Sequence, residues 1–201
     1  MWQVVDGPGP PSLGDADVVD ADGALDLREA RRRIRSAFPL VHGHPDVAGV
    51  LRQPDLLRLL GPAMAAPFVA AGVTVVCAPE ARGPILGALV AAELGAGLML
   101  VRKVDRNHPG ADRRVESGVT WRGSTEAFQA RSWDLSPGDL VLVVDDWITT
   151  GSSIRAVRTL VEGAGGLYVG ASVLVDKTDG DTRRDLQVHA LVGYDEIIGP
   201  A

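Results

Sequence analysis

The sequence predicts an α/β fold whose centre is a doubly wound, mainly parallel sheet, and three observations support this prediction. Short β-branched runs without alternation, such as Thr74–Ala78 and Leu140–Val144, are typical of strands that are buried on both faces. Helical patterns separate these runs, and strands that alternate with helices form parallel sheets covered on both sides. No repeat and no second core is visible, so residues 25–201 are predicted to be a single domain.

The N-terminal part of this domain is predicted to be helical. In Leu25–Phe38 apolar residues recur on one helical face, while the opposite face carries several arginines. We interpret these arginines as a solvated face rather than as a phosphate or partner patch. Gln53–Ala71 predicts a second helix, although Pro62 and Pro67 interrupt its last turns. Residues 1–24, which include a Gly/Pro-rich turn or linker, are predicted to be partly loose.

The rest of the domain alternates regularly between strands and helices. The predicted elements are strand Thr74–Ala78, helix Pro84–Leu94 ending at Gly95, strands Leu98–Arg102, Thr125–Arg131 and Leu140–Val144, helix Ser153–Glu162 ending at Gly163, and strands Tyr168–Val175 and Leu186–Val192. Between the second and third of these strands, Asp105–Ser124 is polar, rich in charge and glycine, and without periodicity. Such a length is uncommon for a passive connection, so the segment predicts a mobile functional loop.

The composition limits the compartment and the partners of the chain. A net charge of −6 and a pI near 5.2 argue against sequence-independent nucleic-acid binding, but they leave an anionic small substrate open. The single cysteine, Cys77, permits no internal disulfide and suits a reducing compartment. The N-terminus shows no secretory signal, and the most apolar region, Gly61–Ala78, is too short to span a bilayer. We therefore expect a cytoplasmic protein that binds neither nucleic acid nor membrane.

The segment Val141–Ser153 has the most informative chemistry. A buried strand is predicted to end in two carboxylates, Asp145 and Asp146, and the ligands of open α/β sheets bind beyond the carboxyl ends of the strands. The loop Thr149–Ser153 then places hydroxyls, backbone N–H groups and a flexible glycine at a helix N-terminus, which favours an anion. Because carboxylates accept hydrogen bonds from hydroxyls, the combination predicts a site for a phosphorylated ribose with free 2- and 3-hydroxyls.

The pattern Asp145-Asp146-x-x-x-Thr150-Gly151-Ser152-Ser153 resembles the signature of type I phosphoribosyltransferases for 5-phosphoribosyl diphosphate (PRPP). The similarity extends over roughly residues 34–175 and is closest to the adenine phosphoribosyltransferases. The chain has no G-x-x-x-x-G-K-[ST] loop and no G-x-G-x-x-G loop. By this resemblance the 5-phosphate is bound by Thr149, Thr150, Gly151, Ser152 and Ser153, and the ribose by Asp145 and Asp146.

The resemblance implies a glycosyltransferase of the pentosyltransferase class. Such an enzyme moves the phosphoribosyl group of PRPP to a purine-type base, with adenine the leading candidate, and gives a nucleoside 5′-monophosphate and diphosphate in purine salvage. It also implies Mg²⁺ that is carried with PRPP, no metal held by the protein alone, and a homodimer. The implied fold is the doubly wound sheet with a small N-terminal hood and a flexible lid loop.

The resemblance continues upstream, in the segment expected to hold the diphosphate. Pro79-Glu80-Ala81-Arg82-Gly83-Pro84-Ile85-Leu86-Gly87 is similar to the diphosphate loop of adenine phosphoribosyltransferases. It implies that the Glu80–Ala81 peptide bond is cis and that Arg82 is catalytic. Arginine and lysine suit phosphate, because one offers a planar fork and the other a point charge. The residues implied in diphosphate binding are Glu80, Ala81, Arg82 and Lys103.

Residues 103–124 resemble the flexible lid of the family. Val115-Glu116-Ser117-Gly118 is similar to its catalytic Leu-Glu-Tyr-Gly motif, which implies that Glu116 approaches the incoming base and manages its proton. Ser117 replaces the tyrosine, and the stretch from Glu116 to Asp145 is longer than in the family. Glu126 is therefore a competing candidate for this role.

The base-side hood, residues 36–54, departs most from the family. Phe38-Pro39 resembles the start of the adenine hood, but His44-Pro45-Asp46-Val47 stands where the family has Phe-Arg-Asp-Ile. Two alternatives therefore stay open: a phosphoribosyltransferase for another heterocyclic acceptor, and a non-catalytic regulatory protein that binds PRPP. The residues implied in base binding are Phe38, His44 and Ile148.

Overall fold

A computed structural model describes residues 26–199, so the predicted loose segment 1–24 lies outside the described residues. The helices and strands, in chain order, are α1 (Leu27–Ser36), β1 (Leu40–Val41), β2 (His44–Pro45), α2 (Val47–Leu51), α3 (Pro54–Ala65), β3 (Val75–Pro79), α4 (Gly83–Leu94), β4 (Gly97–Lys103), β5 (Arg113–Glu116), β6 (Ala127–Ala130), β7 (Leu140–Ile148), α5 (Ser152–Gly163), β8 (Leu167–Asp176), α6 (Gly180–Asp185), β9 (Val188–Gly193) and α7 (Tyr194–Ile198). Short 3₁₀ turns occupy Ala66–Phe68 and Ser132–Asp134.

The main sheet of the described chain has seven strands in the order β5-β6-β4-β3-β7-β8-β9. The strands β4, β3, β7, β8 and β9 run parallel, while β5 and β6 pair antiparallel at one edge. Helices α1, α3 and α4 build the core on one face of the sheet, and α5 packs its apolar side on the other face. The predicted α/β fold, a doubly wound and mainly parallel sheet, is therefore confirmed.

Close packing of α4 on β3 sets the position of the loop between them. Gly87 faces the sheet, and a Cβ at this position would lie 2.7 Å from the Cβ of Ala78, so the approach requires glycine. The helix ends as predicted before Gly95, whose φ of 64° is left-handed. Residues 80–82 are thereby held at the carboxyl end of β3, next to β7 in the sheet.

β7 is longer than the predicted strand Leu140–Val144. It continues through both carboxylates to Ile148, because β8 supplies pairing partners beyond the predicted end. Asp145 lies opposite Val173, and Ile148 lies opposite Asp176. Aspartate is unfavourable in strands, but pairing with the neighbouring strand outweighs that local preference. The prediction that the strand ends at the acid pair is therefore wrong.

The second predicted helix, Gln53–Ala71, is shorter in the structure. α3 begins at Pro54, contains Pro62 and ends at Ala65, where the 3₁₀ turn follows. Pro67, in the 3₁₀ turn, lacks the N–H that would continue the helix, which accounts for the early end. The short helices α2, α6 and α7 were not predicted, because five or six residues are too few to show a helical period.

The predicted irregular segment Asp105–Ser124 contains the strand β5. This strand pairs with β6, and the N–H of Ser117 extends the pairing by donating to the Glu126 carbonyl at 2.7 Å. Its sequence, RRVE, has no apolar alternation, so the strand depends on its partner and gives no local signal. We call the connection from 117 to 126 the edge hairpin loop. Mobility of residues 103–124 remains a prediction.

The hood lies between α1 and α3 and consists of the β1–β2 hairpin and α2. Asp46 begins α2, since its carboxylate accepts from the N–H groups of Ala48 at 3.1 Å and Gly49 at 3.0 Å. Strand β2 of the hood contacts α7, the last helix of the described chain. Next to the hood, Arg31 of α1 pairs with Glu196 of α7 at 3.0 Å. The hood therefore packs against the last described elements. Among residues 26–199, no helix combines the length and apolarity needed to cross a membrane.

Candidate active site

A cavity of about 530 Å³ is lined by residues near the carboxyl ends of the parallel strands. Ligands of open α/β sheets bind at this edge, and the volume is within the range of small-molecule sites. The cavity gathers side chains from the hood, the loop after β3, the edge hairpin loop, the end of β7 and the segments that follow β8 and β9.

The loop between β7 and α5 has the geometry of an anion site. Gly151 has a φ of 72°, and a Cβ at this position would lie 2.7 Å from Cδ1 of Leu186, so the turn requires glycine. α5 begins at Ser152, and its first N–H groups lie at the positive end of the helix dipole. The structure thus brings the predicted phosphate residues together, and those that line the cavity are Thr149, Ser152 and Ser153.

Arg155 supports this loop, although the sequence does not single it out among the charged residues of α5. Its guanidinium donates to the carbonyl of Thr150 at 2.9 Å and pairs with Asp185 at 2.9 Å. In a trans peptide the C=O and the following N–H point in opposite directions. Holding the carbonyl of Thr150 therefore also orients the N–H of Gly151.

The acid pair Asp145 and Asp146 is buried, with exposures of 9% and 7%. The N–H of Asp146 donates to Oδ1 of Asp145 at 2.8 Å, and the carboxylate of Asp146 is paired with Arg82. Burial, together with the charge of Asp146, raises the pKa of Asp145 well above its ordinary value. One carboxylate is therefore compensated by a cation, while the other is biased towards its protonated form.

The loop after β3 has the backbone that the resemblance implied, since the peptide bond between Glu80 and Ala81 is cis. Arg82 lines the cavity, as expected for a diphosphate-binding residue. Glu80 instead accepts from Arg102 at 3.0 Å and from the N–H of Lys103 at 3.1 Å. Burial alone would raise the pKa of Glu80, but these hydrogen bonds outweigh it and hold the pKa below its ordinary value. The Glu80 side chain therefore fixes the loop to β4 and does not line the cavity, and its role in diphosphate binding stays a prediction.

Of the two glutamates considered for proton transfer, the cavity is lined by Glu126. Its Oε1 lies 2.6 Å from Nζ of Lys103. Glu116 is on the edge strand β5, where its side chain is 73% exposed and lies 4.0 Å from Arg114. The expectation that Glu116 approaches the base does not match this geometry, because the antiparallel pairing of β5 leaves Glu116 at the outer edge of the sheet.

The residues expected to bind the base are only partly in the cavity. His44 lines it, as predicted. Phe38 and Ile148 are 7% and 2% exposed, pack in the cores on opposite faces of the sheet and do not line the cavity, so a role in base binding stays a prediction without support from this geometry. Trp147, which precedes Ile148 on β7, lines the cavity instead. The choice of Ile148 over Trp147 follows from ending the predicted strand at Val144, because alternation along β7 places these two neighbours on opposite faces of the sheet.

Trp147, Tyr194 and Lys177 form a cluster in the cavity wall that we call the acceptor cluster. The ring centroids of Trp147 and Tyr194 are 5.8 Å apart, and Nζ of Lys177 lies 3.9 Å from the Tyr194 centroid. Such a cluster offers a planar ring an apolar surface and a hydrogen-bond donor. Lys177 and Tyr194 directly follow β8 and β9, so the rule that ligands bind beyond parallel strands could have found them.

The edge hairpin loop covers part of the same cavity. Thr120, Trp121 and Arg122 line it, and the Arg122 guanidinium lies 4.9 Å from the Trp121 ring centroid. Oγ1 of Thr150 donates to the carbonyl of Val119 at 3.4 Å, so the hairpin loop touches the phosphate loop. This arrangement can shield a bound ligand from water.

Three comparisons with known proteins agree with one another. A family model described as a phosphoribosyl transferase domain matches residues 67–193. An adenine phosphoribosyltransferase from Clostridium perfringens is 35% identical over 153 residues, which cover 75% of this chain and 87% of the relative. One from Symbiobacterium thermophilum is 32% identical over 147 residues, covering 73% and 85%. The crystal structure of adenine phosphoribosyltransferase from Rhodothermus marinus superimposes with a TM-score of 0.71 at 31% identity, covering 83% of this chain and 99% of that one.

Proposed function

This chain belongs to the phosphoribosyltransferase family, and we propose that it transfers the 5-phosphoribosyl group of PRPP to a purine-type base. Adenine is the first candidate, because the relatives described above are named adenine phosphoribosyltransferases. The products are a nucleoside 5′-monophosphate and diphosphate, a reaction of purine salvage. The observation that carries the proposal is the buried pair Asp145 and Asp146 directly before the anion loop Thr149–Ser153, with Arg82 at the same cavity.

The donor is proposed to bind with its 5-phosphate in the loop Thr149–Ser153. A helix dipole alone contributes only ~0.3–1 kcal/mol to an exposed charge, so backbone N–H groups and hydroxyls must supply most of the binding. The ribose hydroxyls donate to Asp145 and Asp146. Since Asp146 is paired with Arg82 in the free protein, the sugar takes over a carboxylate that the arginine gives up.

Departure of the diphosphate depends on cations in this proposal. Arg82 offers a planar fork and Lys103 a point charge, and both stabilise negative charge as it develops on the leaving group. The bond from C1 to the diphosphate oxygen breaks with its electron pair on that oxygen, through a cation-like sugar. Exclusion of water by the edge hairpin loop then protects this sugar from hydrolysis.

Mg²⁺ is proposed to arrive with the diphosphate. In residues 26–199 there is no cluster of three or more His, Cys, Asp or Glu side chains suited to a metal. Mg²⁺ is commonly bound through the phosphates of the substrate, so the diphosphate itself would supply most of the ligands in this proposal. When bound, the ion neutralises charge on the diphosphate.

The acceptor is proposed to lie against the acceptor cluster. Stacking of a base on an aromatic side chain is worth ~1–3 kcal/mol, and Trp147 provides such a surface. Lys177 can donate to a ring nitrogen or an exocyclic oxygen. His44 stands where the family has phenylalanine, so Trp147 supplies the aromatic face from β7 instead of from the hood.

A cytoplasmic homodimer is the proposed form of the protein. Ile85, Leu98 and Leu100 are 47%, 40% and 39% exposed and lie on α4 and β4, which contact each other. Exposed apolar side chains grouped on one face mark an interaction surface. This surface adjoins the loop of Arg82, so a second copy would border the site. The buried, unpaired Cys77 suits a reducing compartment.

The deciding experiment measures diphosphate release from Mg²⁺–PRPP across a panel of free bases. We expect release with adenine, and near loss of both sugar binding and turnover in the double variant Asp145→Asn, Asp146→Asn. Release of diphosphate with another heterocycle but not with adenine would identify that heterocycle as the acceptor. Tight PRPP binding without release for any base would instead identify a regulatory protein. Unchanged kinetics in the double variant would overturn the assignment of the site.

A further inference from the structure

The contact between Lys103 and Glu126 joins the diphosphate side of the site to the base side. Resting on the proposed function, we propose that Glu126 takes the proton of the incoming base, and that Lys103 restrains Glu126 until diphosphate draws the lysine away. Glu126 lies outside the motif Val115-Glu116-Ser117-Gly118 to which the sequence pointed. Its carboxylate becomes free of Lys103 only when the donor is bound.

Glu126 is held at the cavity by its backbone. Its carbonyl accepts from the N–H of Ser117 at 2.7 Å, and its N–H donates to Oγ of Ser117 at 3.0 Å. The Ser117 hydroxyl in turn donates to the carbonyl of Gly118 at 2.8 Å, and Ser117 is 5% exposed. The residue that replaces the tyrosine of the family motif therefore fixes the position of Glu126, which lies across the hairpin from Ser117, the residue after the exposed Glu116.

Lys103 lies between the diphosphate loop and Glu126. Its N–H donates to Glu80, the residue that begins the diphosphate loop, while its ammonium is 2.6 Å from Glu126. The two side chains of the ion pair are 34% and 32% exposed, and Glu126 lines the cavity while Lys103 contacts Glu126 from outside that lining. A ligand in the cavity therefore meets Glu126 directly and attracts the Lys103 ammonium across this contact. The pair Arg82–Asp146 repeats this arrangement, because it too joins a diphosphate-side cation to a carboxylate needed elsewhere in the reaction.

Exchange of partners at Lys103 is energetically accessible. A partly exposed ion pair contributes little to stability because water screens it. A diphosphate carries several negative charges and attracts the ammonium more strongly than one carboxylate does. Binding of the donor therefore frees the Glu126 carboxylate at the moment when a base can react.

The chemical step balances with the groups present. The ring nitrogen of the base forms a bond to C1 while the bond from C1 to the diphosphate oxygen breaks, and the electron pair of the broken bond stays on the diphosphate. The proton on the ring nitrogen passes to the Glu126 carboxylate, which is general-base catalysis. Without donor, Lys103 holds that carboxylate, so the base meets no free proton acceptor.

The first test compares Glu126→Gln with Glu116→Gln, using the base that gives the fastest release. We expect kcat to fall by ~10²–10⁴ in Glu126→Gln without weaker PRPP binding, and to stay within about twofold in Glu116→Gln. The deficit of Glu126→Gln should shrink for bases with a more acidic N–H, because they need less help. Wild-type kcat in Glu126→Gln, or equal losses in both variants, would overturn the proposal. Circular dichroism and thermal melting confirm that each variant is folded.

The second test titrates the protein with inorganic diphosphate and Mg²⁺. Because Glu126 competes for Lys103, Glu126→Gln should bind diphosphate roughly 1.5- to 5-fold more tightly, whereas Glu162→Gln on α5 should not. Unchanged or weaker binding would exclude the restraint. A wild-type protein that releases no diphosphate with any base would refute the proposed function, while active wild type with active Glu126→Gln refutes only the role of Glu126.

Discussion

The guanidinium of Arg82 is paired with the carboxylate of Asp146, which connects the loop after β3 to the acid pair of β7. Arg82 is half exposed, with 49% of its side chain accessible, whereas the Asp146 side chain is 10% exposed. The arginine is thus the movable partner. In the free protein it compensates a buried charge, and in the proposed reaction it turns to the leaving group.

Replacing Arg82 should reduce turnover much more than it reduces stability. We expect Arg82→Lys to lower kcat/KM for PRPP by ~10²–10³, because a lysine lacks the planar fork that holds phosphate and stabilises its departure. Steady-state diphosphate release measures the effect. Arg184→Lys, an exposed pair with Asp181 on α6, serves as the matched control. Equal kinetics in both variants would show that Arg82 takes no part in the reaction.

We expect the buried carboxyl of Asp145 to make the stability of the protein depend on pH. Its pKa is raised above the ordinary value of 3.8 by burial, so the native state holds the proton more tightly than the unfolded state does. The contribution of the protonated Asp145 carboxyl to stability is therefore fully present below the unfolded pKa. It is lost as the pH rises through the raised native pKa. We expect Asp145→Asn to melt at a higher temperature than wild type at pH 8. Each kcal/mol gained in the free energy of unfolding raises the melting temperature by about 2–4 °C, and the gain disappears towards pH 4.

Thermal melts of Asp145→Asn and wild type across pH 4 to 8 check this expectation. Asp181→Asn is the control, because the Asp181 side chain is 90% exposed and pays no desolvation cost. A gain that grew on acidification, or that matched the control, would contradict the assigned cause.

Trp147 should determine the affinity for the acceptor. We expect Trp147→Leu to raise KM for the base by about 5- to 150-fold, since stacking of a base is worth ~1–3 kcal/mol, while the Kd for PRPP stays close to wild type. Trp133→Leu is the control, as Trp133 is 62% exposed and does not line the cavity. Initial rates at varied base and saturating PRPP give KM. A higher Kd for PRPP with unchanged KM for base would place Trp147 on the donor side.

The apolar surface on α4 and β4 should hold two copies together. We expect Leu98→Lys to shift the protein from dimer to monomer, because each charge would have to be buried without a partner. Light scattering coupled to size exclusion gives the mass. Leu167→Lys is the control, since Leu167 is 55% exposed at the start of β8. Identical masses for wild type and Leu98→Lys would show that this surface does not hold the two copies together.

The sheet and the glycine turn of the proposed donor site could be predicted from the sequence because their signals are local. Buried β-branched runs mark the central strands, and Gly95 and Gly151 mark turns that only glycine adopts without strain. The acid pair and the anion loop adjoin each other in the chain, so their chemistry could be read together.

The acceptor side could not be predicted in the same way because its residues meet only through the fold. Trp147 depends on the extension of β7 by pairing with β8, and Tyr194 follows the last strand of the sheet. Glu126 faces the cavity because β5 pairs with β6, a non-local contact without periodicity in the sequence. The resemblance pointed to Glu116, since it compares the order of residues and not the path of the hairpin.

The order of the chain also divides the site into an early and a late part. Arg82, Lys103 and the segment from Asp145 to Ser153 precede β8, whereas Tyr194 comes after β9, at the edge of the sheet opposite to β5. Since the chain is synthesised from its N-terminus, the donor elements leave the ribosome before Tyr194 completes the acceptor cluster. An edge strand and its short helix can vary without disturbing β3 and β7. New acceptors can therefore arise, by evolution or by engineering, through exchange of the segment around Tyr194 while PRPP chemistry is kept.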